Sequence, residues 1–489
     1  MKESNSNFRV SWPAKIFRRA QFAARRRMNR AVVTAIALFF SAGAWALSTE
    51  YVPTTTDSYP FFSALTDLGP ANYVEDEYLV AGTANIYEYD GDLNVQVQAA
   101  DVPYKTRIMI RRPAAPEDFN GVVVFEMINP TATFDIDFIW QYTHELLMRE
   151  GYIWVGMTIR EDALNVLKGW DPARYGTLSL VERGLSYDAF GDIAALMRDP
   201  LDPENPLANY NVTHLLGSGY SQSEDWLTTF SNELHDSKLA WNGVPAFDGY
   251  LGSGGNGAAR EIWSGDPDAE YGAFYLDDRK FNEVNAPYFR IQSETEIEVF
   301  SFPASDVRQP DSNIFRQWEV AGTSHADGPS TAGISATINR DFGFPLPPCD
   351  APTGDVAMAP YISAALYQLT RWVKDGIAPP PGLYLELNGP NDVKRDANGN
   401  ALGGIRIPEV EVPLGTHLPF NSGPPGTPCF LASSFFEFPP EDVAVEYPSH
   451  GNYVSRVGKA ANDLRKQGYL LAPDAETYKE TAAGTDVGK

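Results

Sequence analysis

The stretch GVVVFEMIN at 121–129 is almost unbroken apolar sequence. A strand with one wet face alternates apolar and polar residues, whereas one covered on both faces has no need to. FIWQYTHELLMREG follows with helical spacing, and YIWVGMTIR at 152–160 returns to an apolar run. A strand–helix–strand unit of this kind requires parallel pairing, because the helix carries the chain back to the sheet's starting edge. The pattern continues with a helix at SYDAFGDIAALMRD (186–199) and strands at THLLGSG, FDGYLGSGG (247–255), APYFRIQSE (286–294) and FRQWEVAGTS (315–324). A long helix, APYISAALYQLTRWVKDG (359–376), ends at Gly376 before APPPG. Upstream, YLVAGTANIYEY and YKTRIMIRRP alternate, as antiparallel strands do. The expected class is α/β: a mostly parallel central sheet flanked by helices, with N-terminal antiparallel strands. Residues 47–489 read as a single domain with a Pro- and Gly-rich insertion at about 377–445, and YVSRVGKAANDLRKQG as a C-terminal packing helix.

The first 46 residues are excluded from that fold. RRAQFAARRRMNR is basic, AVVTAIALFFSAGA is apolar but shorter than a bilayer span, and AWA ends at Ala46 as a small-residue cleavage site. This is the pattern of a signal peptide cleaved after about Ala46. It predicts a periplasmic or secreted protein with no stable membrane insertion after cleavage. The whole chain has 38 Lys and Arg against 64 Asp and Glu, a net charge of −26. Residues 1–46 hold nine of the bases and one of the acids, so 29 bases and 63 acids remain, a net of −34. Such a surface repels nucleic acid and anionic membranes. In an oxidising compartment Cys349 and Cys429 are expected to form a disulfide, stabilising by about 4 kcal/mol through closure of a long loop.

HLLGSGYSQSEDWLTTF (214–230) runs from a strand through glycines to Ser221 and then into a helix. GYSQS is close to G-x-S-x-G, the tight turn that exposes a nucleophilic serine; Gly219 fits the pattern and Ser223 stands where glycine is commoner. A phosphate-binding turn would need a following Lys-Ser or Lys-Thr, and a dinucleotide turn a third glycine in register; both are missing. A serine hydroxyl needs a base, and the base an acid to orient it. Of six histidines, His325 in GTSHAD follows a late strand and lies downstream of the serine. The acid belongs after the strand between them, where SETEIE offers Glu294, Glu296 and Glu298. Glu296 is favoured, where the chain leaves the strand, with Glu294 the rival. The Gln222 N–H is one expected oxyanion donor, with Asn129 or Thr131 supplying a second. Glu126, Asp135 and Asp137 lack metal-ligand spacing, and HELLM lacks the second histidine of zinc-protease helices. The reading requires no metal or cofactor.

FNGVVVFEMINPTATFDID, REGYIWVGMTIR, GSGYSQSEDWLTTF, FDGYLGSGGNG, QSETE, GTSHAD and AALYQLTRWVKDG, in this order, resemble a bacterial family of alpha/beta hydrolase domain-containing proteins. The resemblance runs from about residue 60 to YPSHGNYV and GYLLAPDAETY near the C-terminus. It implies the α/β-hydrolase fold and triad roles for Ser221, His325 and the acid of SETE. NPTATFD departs from the Val and glycines that relatives tend to carry after the asparagine, which bears on the oxyanion loop. The expected function is an exported serine hydrolase cleaving a small-molecule carboxylic ester through an acyl-enzyme. Amide, peptide or lactone cleavage with the same triad is one alternative, and a non-catalytic binding protein on the same fold another. The sequence specifies no oligomeric state.

Overall fold

The computed structural model describes residues 47–90, 94–255, 260, 262, 280–282, 284–301 and 303–489; the expected signal segment 1–46 lies outside the described residues. The strands are β1 (Ser48–Tyr51), β2 (Tyr73–Tyr89), β3 (Val95–Pro113), β4 (Val122–Met127) and β5 (Ile153–Met157). They continue with β6 (His214–Tyr220), β7 (Gly249–Ser253), β8 (Tyr288–Ser293) and β9 (Phe315–Ala321). All lie in one 10-stranded sheet in the order β1-β2-β3-β5-β4-β6-β7-β8-β9, closed by the two-residue strand Ile405–Arg406. Pairing is parallel from β5 through β9 to Ile405–Arg406 and antiparallel among β1, β2, β3 and β5. The segment 377–445 expected to be an insertion therefore contributes a strand to the sheet's edge. The short N-terminal runs read from the sequence join into two strands of 17 and 19 residues, with register shifts between Ala84 and Tyr87. Such bulges let a long ribbon bend without losing its pairing.

Every residue of β4, β5, β7, β8 and β9 is buried, the polar Arg290, Gln292, Gln317 and Glu319 of β8 and β9 included, because helices cover both faces of the sheet. Successive side chains point to opposite faces of a strand. Phe125 packs with Phe190 of the helix Leu185–Met197, and that helix meets the helix Gln222–Glu233 through Phe190–Phe230 and Tyr187–Trp226 ring contacts. Its neighbour Glu126 faces the other way and accepts from the N–H groups of Ile139 and Trp140 and from the Trp154 indole. This second face is covered by the helix Phe138–Glu150, which packs in turn on the helix Ala359–Asp375. Burial pushes the Glu126 carboxyl up to about 8 in spite of those donors.

The sheet reverses direction at β4: the chain goes from β4 outward to β5, then crosses to the opposite side of β4 as β6. Crevices at such a switch point, beyond the carboxyl ends of the strands, are where open α/β sheets hold ligands. The loop after β4 is clamped from below by β3. Arg107 pairs with Asp135 and Glu77, and Arg111 with Asp137 and Glu75, with the Arg111 guanidinium over the Trp140 and Trp154 rings. Glu126, Asp135 and Asp137 are thus occupied by amide and arginine partners.

The helix His450–Gln467 reaches the main core through Ala461 and Leu464. Its Tyr453 and Val457 belong to a second, smaller cluster with Val412, Tyr447 and Ala482. Ala482 comes from a further helix, Ala472–Gly484, absent from the sequence-based expectation.

Candidate active site

Ser221 joins β6 to the helix Gln222–Glu233 with φ 57° and ψ −125°. A non-glycine residue there is strained by order 1–3 kcal/mol and persists only where its surroundings impose it. Several contacts impose it here. The Ser221 N–H donates to the Ser253 carbonyl at 2.8 Å, and its own carbonyl accepts from Glu224 at 2.9 Å. Ser223 folds back across the turn, its Oγ accepting from the Tyr220 N–H at 3.0 Å and donating to the Tyr220 carbonyl at 2.9 Å. That pair of hydrogen bonds across the corner is the physical reason a serine serves where glycine is usual. A Cβ on Gly219 would stand 2.5 Å from the Ser223 carbonyl oxygen, so this position admits glycine alone. Asn129, at the end of β4, donates from Nδ2 to the Tyr220 carbonyl at 2.7 Å and ties the turn to the neighbouring strand.

His325 follows β9 and is 3% exposed. Its imidazole packs on the Tyr220 ring at 5.1 Å and edge-to-face on Phe300 at 5.4 Å. Its carbonyl accepts from the hydroxyls of Tyr220 and Tyr142, and its N–H donates to Thr295 Oγ1 at 3.0 Å. Burial pushes both phenols well above the usual tyrosine range, so they remain protonated donors. Since Tyr220 precedes Ser221, the same side chain that seats the imidazole belongs to the strand that delivers the hydroxyl.

Glu296 lies in a short helix, Thr295–Glu298, that begins where the chain leaves β8. It is fully buried, with Oε1 2.6 Å from His325 Nδ1 and Oε2 accepting from the Ser293 N–H. The tautomer matched to a carboxylate acceptor carries its hydrogen on Nδ1 and leaves Nε2 without one. Glu294, the rival acid, faces away. It pairs with Arg395 and accepts from the Gly322 N–H at 2.7 Å, while burial pushes its carboxyl up to about 7. Glu298 also pairs with Arg395. The other five histidines bond elsewhere or not to a carboxylate: His235 to the Tyr250 hydroxyl, His144 to helix carbonyls, His214 to Thr213, His450 to Val487, and His417 is buried in the insertion.

Both N–H groups expected to offer the second oxyanion donor, those of Asn129 and Thr131, have acceptors within their own loop. The Asn129 N–H donates to the Ile136 carbonyl at 3.2 Å, and the Thr131 N–H to Asn129 Oδ1 at 2.8 Å. The asparagine closes its own loop and braces the turn. Gln222 opens the helix after Ser221, where the backbone dipole is positive, and its Oε1 accepts from Arg160 Nη1 at 2.6 Å. Arg160, Tyr142, Tyr220 and Thr295 were not singled out from the sequence; apolar surroundings disguised the tyrosines as core residues.

Cys349 and Cys429 are joined, their Cα atoms 5.6 Å apart and 80 residues distant in sequence. The stapled segment clasps the histidine loop: the Ala326 N–H donates to the Leu431 carbonyl at 2.8 Å, and Thr295 Oγ1 to the Pro419 carbonyl at 2.6 Å.

Among the described residues, no helix is long and apolar enough to cross a membrane, and no group of three or more metal-ligating side chains converges. No curated protein matches the chain. Similar solved structures include an alpha-beta serine hydrolase homologue from Coxiella burnetii, at 10% identity over 48% of this chain and 92% of that one, TM-score 0.28. A lidless serine hydrolase from Xanthomonas campestris shares 14% identity over 50% of this chain and 92% of that one, TM-score 0.28. A dienelactone hydrolase from Anabaena variabilis shares 12% over 54% and 99%, TM-score 0.26. These likenesses are too distant to speak to the reaction. The family described as alpha/beta hydrolase domain matches residues 48–480, nearly the whole described chain, and with its mostly parallel sheet, helices on both faces and strained serine turn, this chain belongs to that family.

Proposed function

We propose that the protein is an exported serine hydrolase that cleaves a carboxylic ester with Ser221 as nucleophile, His325 as base and Glu296 as the acid that orients it. The observation that carries the reading is the buried pair His325–Glu296, at 2.6 Å, packed against the residue preceding a strained serine. Ser221 Oγ attacks the ester carbonyl while His325 Nε2 takes its proton. Glu296 stabilises the resulting imidazolium, and the Gln222 N–H at the helix N-terminus donates to the oxyanion. Collapse of the tetrahedral adduct breaks the C–O bond, with the imidazolium returning the proton to the departing alcohol. Water, deprotonated by His325, then attacks the acyl-enzyme and releases the acid.

The basic, then apolar, N-terminal segment supports export, and a disulfide is in keeping with an oxidising compartment. Activated esters of increasing acyl length, assayed with matched anilides and lactones on the purified protein, test the reading. Ester turnover that vanishes in Ser221→Ala is expected. Wild-type turnover in that variant, or anilides cleaved faster than esters, contradicts it.

A further inference from the structure

A cavity of about 1280 Å³ lies beside the histidine loop, with Asp327 and Ser330 in its wall, and neither Ser221 nor His325 lines it. It opens between the helix Phe138–Glu150, the stapled segment and the C-terminal helices. Ligand pockets commonly measure 300–1,000 Å³, so this space is ample for a small organic molecule. Val412, Leu414, Tyr453 and Val457 give it apolar wall.

Its lining mixes charges, with Arg149 and Lys489 among them, but two of its carboxylates are short of donors. The Tyr478 hydroxyl bonds the Glu409 carboxyl, but Glu409 Oε2 and Asp474 Oδ2 are buried oxygens with no hydrogen-bond partner of their own among the described residues. His417, 4% exposed, lines another part of the wall with Nδ1 likewise unpartnered among the described residues. Asp474 stands one helical turn before Tyr478, whose hydroxyl bonds the Glu409 carboxyl and lies 3.1 Å from that of Tyr361, so the two acids share one end of the space. Burial pushes Glu409 up to about 7 and Asp474 up to about 6, as expected of carboxyls lacking a close cation; Arg149 only partly offsets the shift at Asp474. A buried acceptor left unmatched is unfavourable, and a donor entering the cavity would offset that loss.

We propose that this cavity is a second binding site, separate from Ser221, for a small amphiphilic amine whose ammonium pairs with Glu409 and Asp474 while its hydrocarbon lies along Val412, Leu414 and Val457. The acidic balance of the chain favours a cation over an anion in the same space.

The test is calorimetric titration of the full protein with n-octylamine, n-octanol and octanoate at one ionic strength. Octylamine is expected to bind saturably at one site, at least tenfold more tightly than octanol, with octanoate weakest. The paired substitution Glu409→Gln and Asp474→Asn is expected to weaken octylamine at least tenfold and leave octanol within twofold. The idea is overturned if octylamine gives no saturable heat, if octanol or octanoate matches it, or if a folded paired variant binds it unchanged. Should that variant not fold, the three-ligand ranking on the unaltered protein decides the matter alone. Titration of Ser221→Ala separates the two sites: unchanged octylamine affinity is expected, and its loss would place the amine at the serine instead.

Discussion

Replacing Glu296 by Gln keeps the shape of the site and removes one charge. His325 and Glu296 are both almost fully buried, so solvent screens their interaction little. With Nδ1 and Oε1 2.6 Å apart, the charge centres of imidazolium and carboxylate are separated by ~4 Å, worth about 4 kcal/mol at an effective dielectric of 20. That interaction exists only while the imidazole is protonated, so it lowers the barrier and leaves ground-state binding alone. At 1.36 kcal/mol per decade, kcat should fall by about 10³-fold with KM within a few-fold of wild type. Glu294→Gln is the paired control. It removes a partner of Arg395, which Glu298 still holds, and touches neither His325 nor Ser221. Its kcat should stay within about threefold of wild type, although breaking a buried ion pair lowers its Tm. Steady-state kinetics on one activated ester, with active-site titration to count competent enzyme, separates the outcomes. Equal losses in the two variants, or a Glu296→Gln enzyme within tenfold of wild type, would refute the assignment of the acid.

Gly219→Ala forces a Cβ to within 2.5 Å of the Ser223 carbonyl oxygen, so a stability loss of about 1–3 kcal/mol and loss of ester turnover are expected by thermal melting and kinetics. Replacing Cys349 and Cys429 together by Ser should cost about 4 kcal/mol on the chain-entropy estimate for an 80-residue separation, and should lower kcat because the Ala326–Leu431 clasp loosens. An unchanged Tm would contradict the first part and an unchanged kcat the second. Glu409 has a folded pKa raised to about 7 from an ordinary value of 4.5, so its folded form holds the proton more tightly than its unfolded form. The stability it contributes is full below about pH 4.5 and is lost as pH rises through 7. Glu409→Gln should therefore raise Tm at pH 8.5 and leave it unchanged at pH 4; a gain of equal size at both pH values would refute this.

Periodicity exposed the sheet well because parallel strands buried on both faces leave long apolar runs, and all the strands expected between 121 and 324 are present. The candidate triad was legible through chain order and junctions: serine after one strand, acid after a later one, histidine after the last. Sequence favoured Glu296 by its distance from the strand end, and the helical turn Thr295–Glu298 is what points it at His325 rather than at Arg395. Long-range pairings were illegible. Nothing local in Tyr142 or Tyr220 announces that their hydroxyls meet the His325 carbonyl, since a tyrosine in a core run reads as packing. The Asn129 N–H looked available because its partner, Ile136, comes from a bridge closed by the loop itself. The cavity beside Glu409 depends on how the C-terminal helices stand off from the sheet, which is a property of packing and not of any segment.

The central claim is that Ser221 is the nucleophile, and reaction with a fluorophosphonate tests it most directly. Intact-protein mass spectrometry should show one phosphonyl adduct per chain, peptide mapping should place it on the residue between Tyr220 and Gln222, and Ser221→Ala should acquire none. An unmodified wild-type protein that still hydrolyses esters, or an adduct mapped to any other residue, would contradict the account.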